Sequence, residues 1–153
     1  MSIRFASKED CAAIAEIYNH AVLHTAAIWN DQTVDAENRI SWYESRQLMG
    51  YPVLVSEENG VVTGYASFGD WRNFDGFRHT VEHSVYVHPE HQGKGLGKQL
   101  LEHAKNLRGE LTLAVYKENA PSLAFYRSQG FTVLREQVDA QTGHAEYLMA
   151  LSN

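Results

Sequence analysis

The stretch Thr80-Val-Glu-His-Ser-Val-Tyr-Val-His-Pro-Glu-His-Gln-Gly-Lys-Gly-Leu-Gly-Lys-Gln-Leu-Leu101 decides the fold. It begins as a strand. Val81, His83, Val85 and Val87 alternate with Thr80, Glu82, Ser84 and Tyr86, so each set takes one face of a sheet. Pro89 has no N–H to give to a ladder and ends that strand. Gly93, Gly95 and Gly97 stand at alternate positions, where the backbone can curl tightly. From Gly95 to Leu107, Leu96, Leu100, Leu101, Ala104 and Leu107 recur at helical spacing. A strand, a glycine turn and a helix in this order make an anion site. The turn's N–H groups point inward and the helix dipole favours negative charge.

Working outward, Ile3–Ala6 reads as a short strand. Ser7, with Asp10 three residues on, opens a helix over 8–23 whose apolar positions are Cys11, Ile14, Ala15, Ile17, Tyr18 and Val22. A loop with Trp29 leads to Asp35, which caps a second helix over 36–49 with Ile40, Trp42, Tyr43 and Leu48 on its buried side. Strands are predicted at Pro52–Ser56 and Val61–Gly69 around an Asn59-Gly60 hairpin turn. The loop Asp70–Arg78 follows, rich in aromatics and arginine. Beyond the quoted stretch come a strand at Leu111–Tyr116 and a helix from Asn119 or Ala120 to Gly130. A final hairpin pairs Phe131–Val138 with Ala145–Leu151. The order β-α-α-β-β-β-α-β-α-β-β predicts a mixed sheet of α+β class in one domain spanning 1–153. The inner unit, about 80–116, is the expected ligand-holding part.

Composition narrows the function. The chain has 153 residues, 44% hydrophobic and 21% charged, with a formal net charge of −6. That balance is globular, and it argues against non-specific nucleic-acid binding, which needs a basic footprint. No apolar run approaches the length of a membrane span, and no signal peptide is read at the N-terminus, so a soluble cytoplasmic protein is expected. Cys11 is the single cysteine, which excludes an intrachain disulfide and the common cysteine zinc sites. Among the eight histidines, His79, His83, His88 and His91 lie close in sequence but show no helical His-x-x-x-His pair; no metal is expected.

Three glycine-loop patterns compete at 91–98. A nucleotide-triphosphate loop fails, because Gln92 stands where its first glycine belongs and Gln99 follows Lys98. A dinucleotide fingerprint fits Gly93 and Gly95 but meets Lys98 at its third glycine. The pattern Q-x-x-G-x-G is met by Gln92, Gly95 and Gly97. It resembles the pyrophosphate loop of the GNAT superfamily of acetyl-CoA-dependent N-acetyltransferases. The element order matches that fold throughout. Asn119-Ala-Pro-Ser-Leu-Ala-Phe-Tyr126 followed by Gly130-Phe131 is similar to a second family segment.

Residues 1 to about 101 look closer still to the acetyltransferases acting on phosphinothricin, methionine sulfoximine and methionine sulfone. The matching segments are Ala15–Ala21, Gly64–Arg72 and Thr80–Val87. The C-terminal third resembles a more generic GNAT, with a shorter 107–116 connection, a tyrosine at 126 and a tail reading Glu146-Tyr-Leu-Met-Ala-Leu151. This reads as a mosaic with a seam near 98–108.

The resemblance implies acetyl-CoA as acetyl donor, a small-molecule amine as acceptor and a homodimer. It implies that Gln92, Gly93, Lys94, Gly95, Leu96, Gly97 and Lys98 hold the diphosphate and that Asn119 touches the pantetheine arm. It implies a bulge that splays the strand at Val85, Tyr86 and Val87 and frees main-chain N–H groups for the thioester oxygen. An amine attacks a thioester only after losing a proton. Glu82, on the strand before the loop, is the candidate base, since burial in a cleft raises a carboxylate's pKa. The resemblance implies the same role. Tyr126 is the candidate acid for the departing thiolate, against the alternative of a tyrosine that merely packs. Trp29, Arg72, Phe74, Asp75, Gly76, Phe77 and Arg78 are the candidate acceptor-binding residues. An arginine there suits a substrate carboxylate and the aromatics suit a side-chain pocket. Two alternatives stay open: a different acceptor, such as a peptide N-terminus or polyamine, and a CoA-binding scaffold without turnover.

Overall fold

A computed structural model describes residues 2–24, 32–70, 81–92, 95–107, 111–139 and 142–151, with the side chains of 69, 70 and 81–84 outside the description. The elements are β1 (Ser2–Phe5), α1 (Cys11–His24), α2 (Ala36–Leu48), β2 (Val53–Glu58), β3 (Val61–Asp70), β4 (Val81–Val87), α3 (Leu96–Leu107), β5 (Leu111–Tyr116), α4 (Ala120–Ser128), β6 (Thr132–Val138) and β7 (Ala145–Leu151). Short 3-10 turns occupy Lys8–Asp10 and Pro89–His91. The order is the one expected.

Local chemistry sets the boundaries. The Ser7 N–H donates to the Asp10 carboxylate at 2.8 Å, and Arg4 grips the same carboxylate with both Nη atoms at 2.8 and 2.9 Å. The entry to α1 is therefore tied back to β1. Asp35 accepts from the Asn38 N–H at 2.8 Å and starts α2; Gly50, at φ +79°, ends it. Asn59 and Gly60 both take positive φ, 53° and 79°, which is the two-residue hairpin their sequence demands.

The strands form one seven-stranded sheet in the order β1-β2-β3-β4-β5-β7-β6. Every neighbouring pair is antiparallel except β4 and β5, which run parallel and are joined by the α3 crossover. Helices cover both faces. On one side Ile14 and Ile17 of α1 pack with Val53, Val55 and Tyr65, and Trp42 and Tyr43 of α2 close over them. On the other, Leu100 of α3 packs on Leu54 and Ala66, while Leu101 and Ala104 join Phe68, Leu111, Leu113, Tyr126 and Phe131. Double coverage explains why Val53 to Ser56 is buried at every position. Two expected core residues lie outside it: Leu48 is 90% exposed and Leu107 43%, each at the last position of its helix.

The joint between β4 and β5 positions the site. β3 and β4 pair without interruption from Gly64↔Val87 to Asp70↔Val81, so the expected bulge is not on that side. β4 and β5 instead pair only at Val81↔Leu111 and Glu82↔Thr112, then separate. The sheet opens into a V whose apex is at Glu82.

Candidate active site

The V is what frees backbone groups. The His88 N–H donates to the Thr63 carbonyl at 2.7 Å. Because the β3–β4 register is unbroken, alternate residues, Tyr86 among them, turn their backbone groups toward β3. Val85 and Val87 turn theirs the other way, toward β5, where no rung is formed. Of the three expected main-chain contributors, Val85 and Val87 are therefore placed for the role. Tyr86 is not: its ring lies on the opposite face, 5.4 Å from the Tyr65 ring, among the residues under α1.

A cavity of about 450 Å³ occupies the mouth of the V. Val85 and Val87 form its floor. Gln92, Gly95, Leu96, Gly97 and Lys98 form one wall, and Ser122, Phe125 and Tyr126 of α4 form the other. The Gly95 φ of +79° is a conformation that glycine adopts without cost. It lets the chain turn into α3 so that the first-turn N–H groups, which have no acceptor within the helix, face the cavity. A Cβ on Gly97 would touch the Phe125 ring at 3.6 Å and Val87 at 3.9 Å, so a side chain there fills space between the walls. Lys98 adds a positive charge beside the same amides. Gln92 donates its side-chain amide to the Val87 carbonyl at 3.2 Å, which ties the start of the loop to the end of the strand.

Tyr126 is buried, 8% exposed, between the rings of Phe125 and Phe131 at centroid distances of 5.1 and 5.3 Å. Its hydroxyl has no hydrogen-bond partner among the described residues, and burial alone pushes its pKa well above the tyrosine value. It stays a neutral phenol through the ordinary pH range. Asn119 does not line this cavity; its Oδ1 accepts from the Ser122 N–H at 3.4 Å and caps α4, next to the lining residue Ser122. The Glu82 backbone sits at the last β4–β5 rung, and its side chain lies outside the description. Gly93, Lys94, Trp29, Arg72, Phe74, Asp75, Gly76, Phe77 and Arg78 also lie outside the described residues.

The structure adds lining residues that the sequence reading passed over: His91, Pro121, Ser122 and Phe125. Phe125 precedes Tyr126 in a helix that packs on Leu111, Leu113 and Val115 of β5, and that adjacency to Tyr126 was the available signal. The residues fit a phosphate-bearing thioester ligand on their own terms. Glycines leave the wall open, helix amides and a lysine meet anionic oxygens, and an apolar floor and α4 wall suit an uncharged arm. Among the described residues, no helix is long and apolar enough to cross a membrane.

Comparison with known proteins agrees with this geometry. Residues 13–131 match the Acetyltransferase (GNAT) family. The chain is 65% identical to the L-amino acid N-acyltransferase MnaT of Escherichia coli K12, over 97% of this chain and 89% of that protein. It is 69% identical to the L-methionine sulfoximine/L-methionine sulfone acetyltransferase of Salmonella typhimurium, over 87% of this chain and 81% of that one. A Salmonella typhimurium acetyltransferase solved with its cofactor acetyl-CoA superposes with a TM-score of 0.86 at 60% identity, covering 99% of this chain and 93% of that one.

Proposed function

Since the chain belongs to the GNAT family of acetyltransferases, we propose that it moves the acetyl group of acetyl-CoA onto the primary amine of a small amino acid or analogue, of the methionine sulfoximine, methionine sulfone or phosphinothricin type. The observation that carries the reading is the cavity at the parting of β4 and β5, walled by helix amides and floored by Val85 and Val87. Acetyl-CoA supplies an activated acyl carbon and a thiolate leaving group.

The chain's residues supply the rest. The first-turn amides of α3 and Lys98 hold the diphosphate, with Gly93 and Lys94 completing the loop. The Val85 and Val87 N–H groups face the carbonyl oxygen as it gains charge, where preorganised donors lower the barrier most. Glu82 takes the proton from the incoming ammonium at the apex of the V, directly or through one water. Tyr126 returns a proton to the sulfur as the C–S bond breaks. Trp29, Arg72 and the segment Phe74–Arg78 bound the acceptor, with an arginine on its carboxylate. The reading extends to a homodimer, as the subfamily resemblance implies, and to the cytoplasm as its place of action.

A thiol-release screen with acetyl-CoA and a panel of amines tests the assignment. Methionine sulfoximine, methionine sulfone and phosphinothricin are expected above all peptides and polyamines. A peptide preferred over every free amino acid would replace the acceptor class. Cofactor-induced thermal stabilisation with no turnover on any amine would leave only a binding scaffold.

A further inference from the structure

The geometry points to a binding site for a borderline divalent cation, of the zinc or nickel class, on the turn His88-Pro-Glu-His91 between β4 and the glycine loop. His88, Glu90 and His91 each offer one ligand atom, all within 4.8 Å of one another. Acetyl transfer as derived above uses none of the three as a reacting group. The turn is a 3-10 helix, with three residues per turn, so His88 and His91 rise on the same side. Their rings stand edge to face, 5.7 Å between centroids. The His91 N–H closes the turn on the His88 carbonyl at 2.8 Å, and Pro89 fixes its own φ. The backbone thus brings the donors together before any ligand arrives. A cation at about 2.0–2.2 Å from each donor needs side-chain rotations and the release of one exposed hydrogen bond, Glu90 N–H to His88 Nδ1, rather than a refolded loop.

The hydrogen bonds also select the tautomer. The Glu90 N–H donates to Nδ1 of His88 at 3.1 Å, so that nitrogen carries a lone pair. The ring proton is then on Nε2, which lies 3.3 Å from Oε1 of Glu16 on α1. A cation takes the Nδ1 lone pair in place of the exposed Glu90 N–H, while Nε2 goes on donating to the Glu16 carboxylate, the outer hydrogen bond that orients a metal-bound histidine. Glu58 Oε2 stands 4.0 Å from Nδ1 of His91 and brings a second carboxylate to the cluster. Two imidazoles and one direct carboxylate, with open positions left over, suit zinc or nickel. Magnesium and calcium prefer all-oxygen sets.

A second imidazole pair lies nearby and serves as the internal comparison. His20 and His24 are one turn apart on α1, with ring centroids 4.9 Å apart, and they line an open groove shared with His88 and Glu90.

The test is a titration of tag-free, chelator-stripped protein with zinc and with nickel, read by competition with a chromophoric chelator. One equivalent is expected to bind at micromolar or tighter affinity. His91→Ala and Glu90→Gln are each expected to weaken that equivalent 10-fold or more, and Glu16→Gln by about 10-fold through lost orientation of His88. The double variant His20→Ala/His24→Ala keeps it, and millimolar magnesium does not displace it. Far-UV circular dichroism without metal establishes that each variant is folded. The proposal is overturned if His91→Ala and Glu90→Gln bind as the wild type does. It is equally overturned if the equivalent disappears in the His20/His24 double variant while persisting in His91→Ala.

Discussion

The side-chain amide of Gln92 donates to the main-chain carbonyl of Val87 across 3.2 Å. That carbonyl points toward β5, on the side where the strands have parted. Gln92 thus serves an acceptor that the opened sheet leaves without a rung, and in doing so it sets where the glycine loop begins. The glutamine expected from sequence among the cofactor-binding residues lines the cavity and uses its side-chain amide to fasten the loop to β4.

Gln92→Ala removes that donor while leaving the helix amides in place. A single hydrogen bond of this kind is worth about 1 kcal/mol. The KM for acetyl-CoA is expected to rise roughly 3–10-fold, with kcat nearly unchanged. Steady-state kinetics with acetyl-CoA varied at saturating acceptor checks this.

Glu82→Gln keeps shape and removes basicity. Loss of a positioned general base lowers rates by about 10²–10⁴-fold. We expect kcat to fall in that range, while acetyl-CoA still raises the melting temperature as in the wild type. Unchanged turnover in the variant would move the base elsewhere.

Tyr126→Phe separates packing from proton donation. The hydroxyl is buried with no partner among the described residues, so its removal is expected to leave the melting temperature equal or slightly higher. If the phenol protonates the thiolate, kcat falls by 10-fold or more. Burial raises the phenol's pKa, so the wild-type rate is expected to hold beyond pH 10, the ordinary tyrosine value, rather than fall at it. A pH–rate profile of both proteins reads this directly.

The Arg4–Asp10 grip gives a stability signature. Hydrogen bonds from Arg4, foremost, hold the Asp10 carboxyl below its usual range, against a smaller opposing effect of burial. A depressed carboxyl contributes stability that is present above its unfolded pKa, about 3.9, and is lost as pH falls through the folded value. Asp10→Asn is expected to cost about 1–2 kcal/mol at pH 7, since hydrogen bonds to a charged group are among the stronger ones. The gap should narrow below about pH 4. Urea unfolding of the two proteins at several pH values measures it.

Gly64→Ala tests how closely β3 is packed. A Cβ there would meet the Ser56 Oγ and the Tyr86 carbonyl at 3.0 Å, and Leu100 of α3 at 3.2 Å. Overpacking of this kind costs about 1–3 kcal/mol. Thermal unfolding should register the loss.

Much of this architecture is written in short-range signals. Asn59-Gly60 announces its turn because two successive positive φ angles favour those residues, and Asp35 announces α2 because its carboxylate meets an otherwise unpaired N–H. The alternation along Thr80–Val87 puts Tyr86 on the face opposite Val85 and Val87, and the structure keeps them apart. What cannot be read locally depends on distant partners. Nothing in Leu111–Tyr116 shows that β5 leaves β4 after one short stretch of pairing. Nothing near Gln92 shows which carbonyl it will serve. Leu48 and Leu107 fit their helical stripes, yet each stands at a helix end with much of its side chain exposed. The His20/His24 pair on α1 sits outside the histidine cluster that first draws the eye.

The placing of β7 between β5 and β6 has a consequence for biosynthesis. β6 leaves the ribosome before β7 but can join the sheet only through it. The half of the molecule built on β5 therefore has no neighbour on that edge until residues 145–151 have emerged. A nascent chain halted at residue 140 is expected to hold β1 to β4 paired, with the apolar Leu113 and Phe131 awaiting cover. Such an intermediate is a natural client for a chaperone.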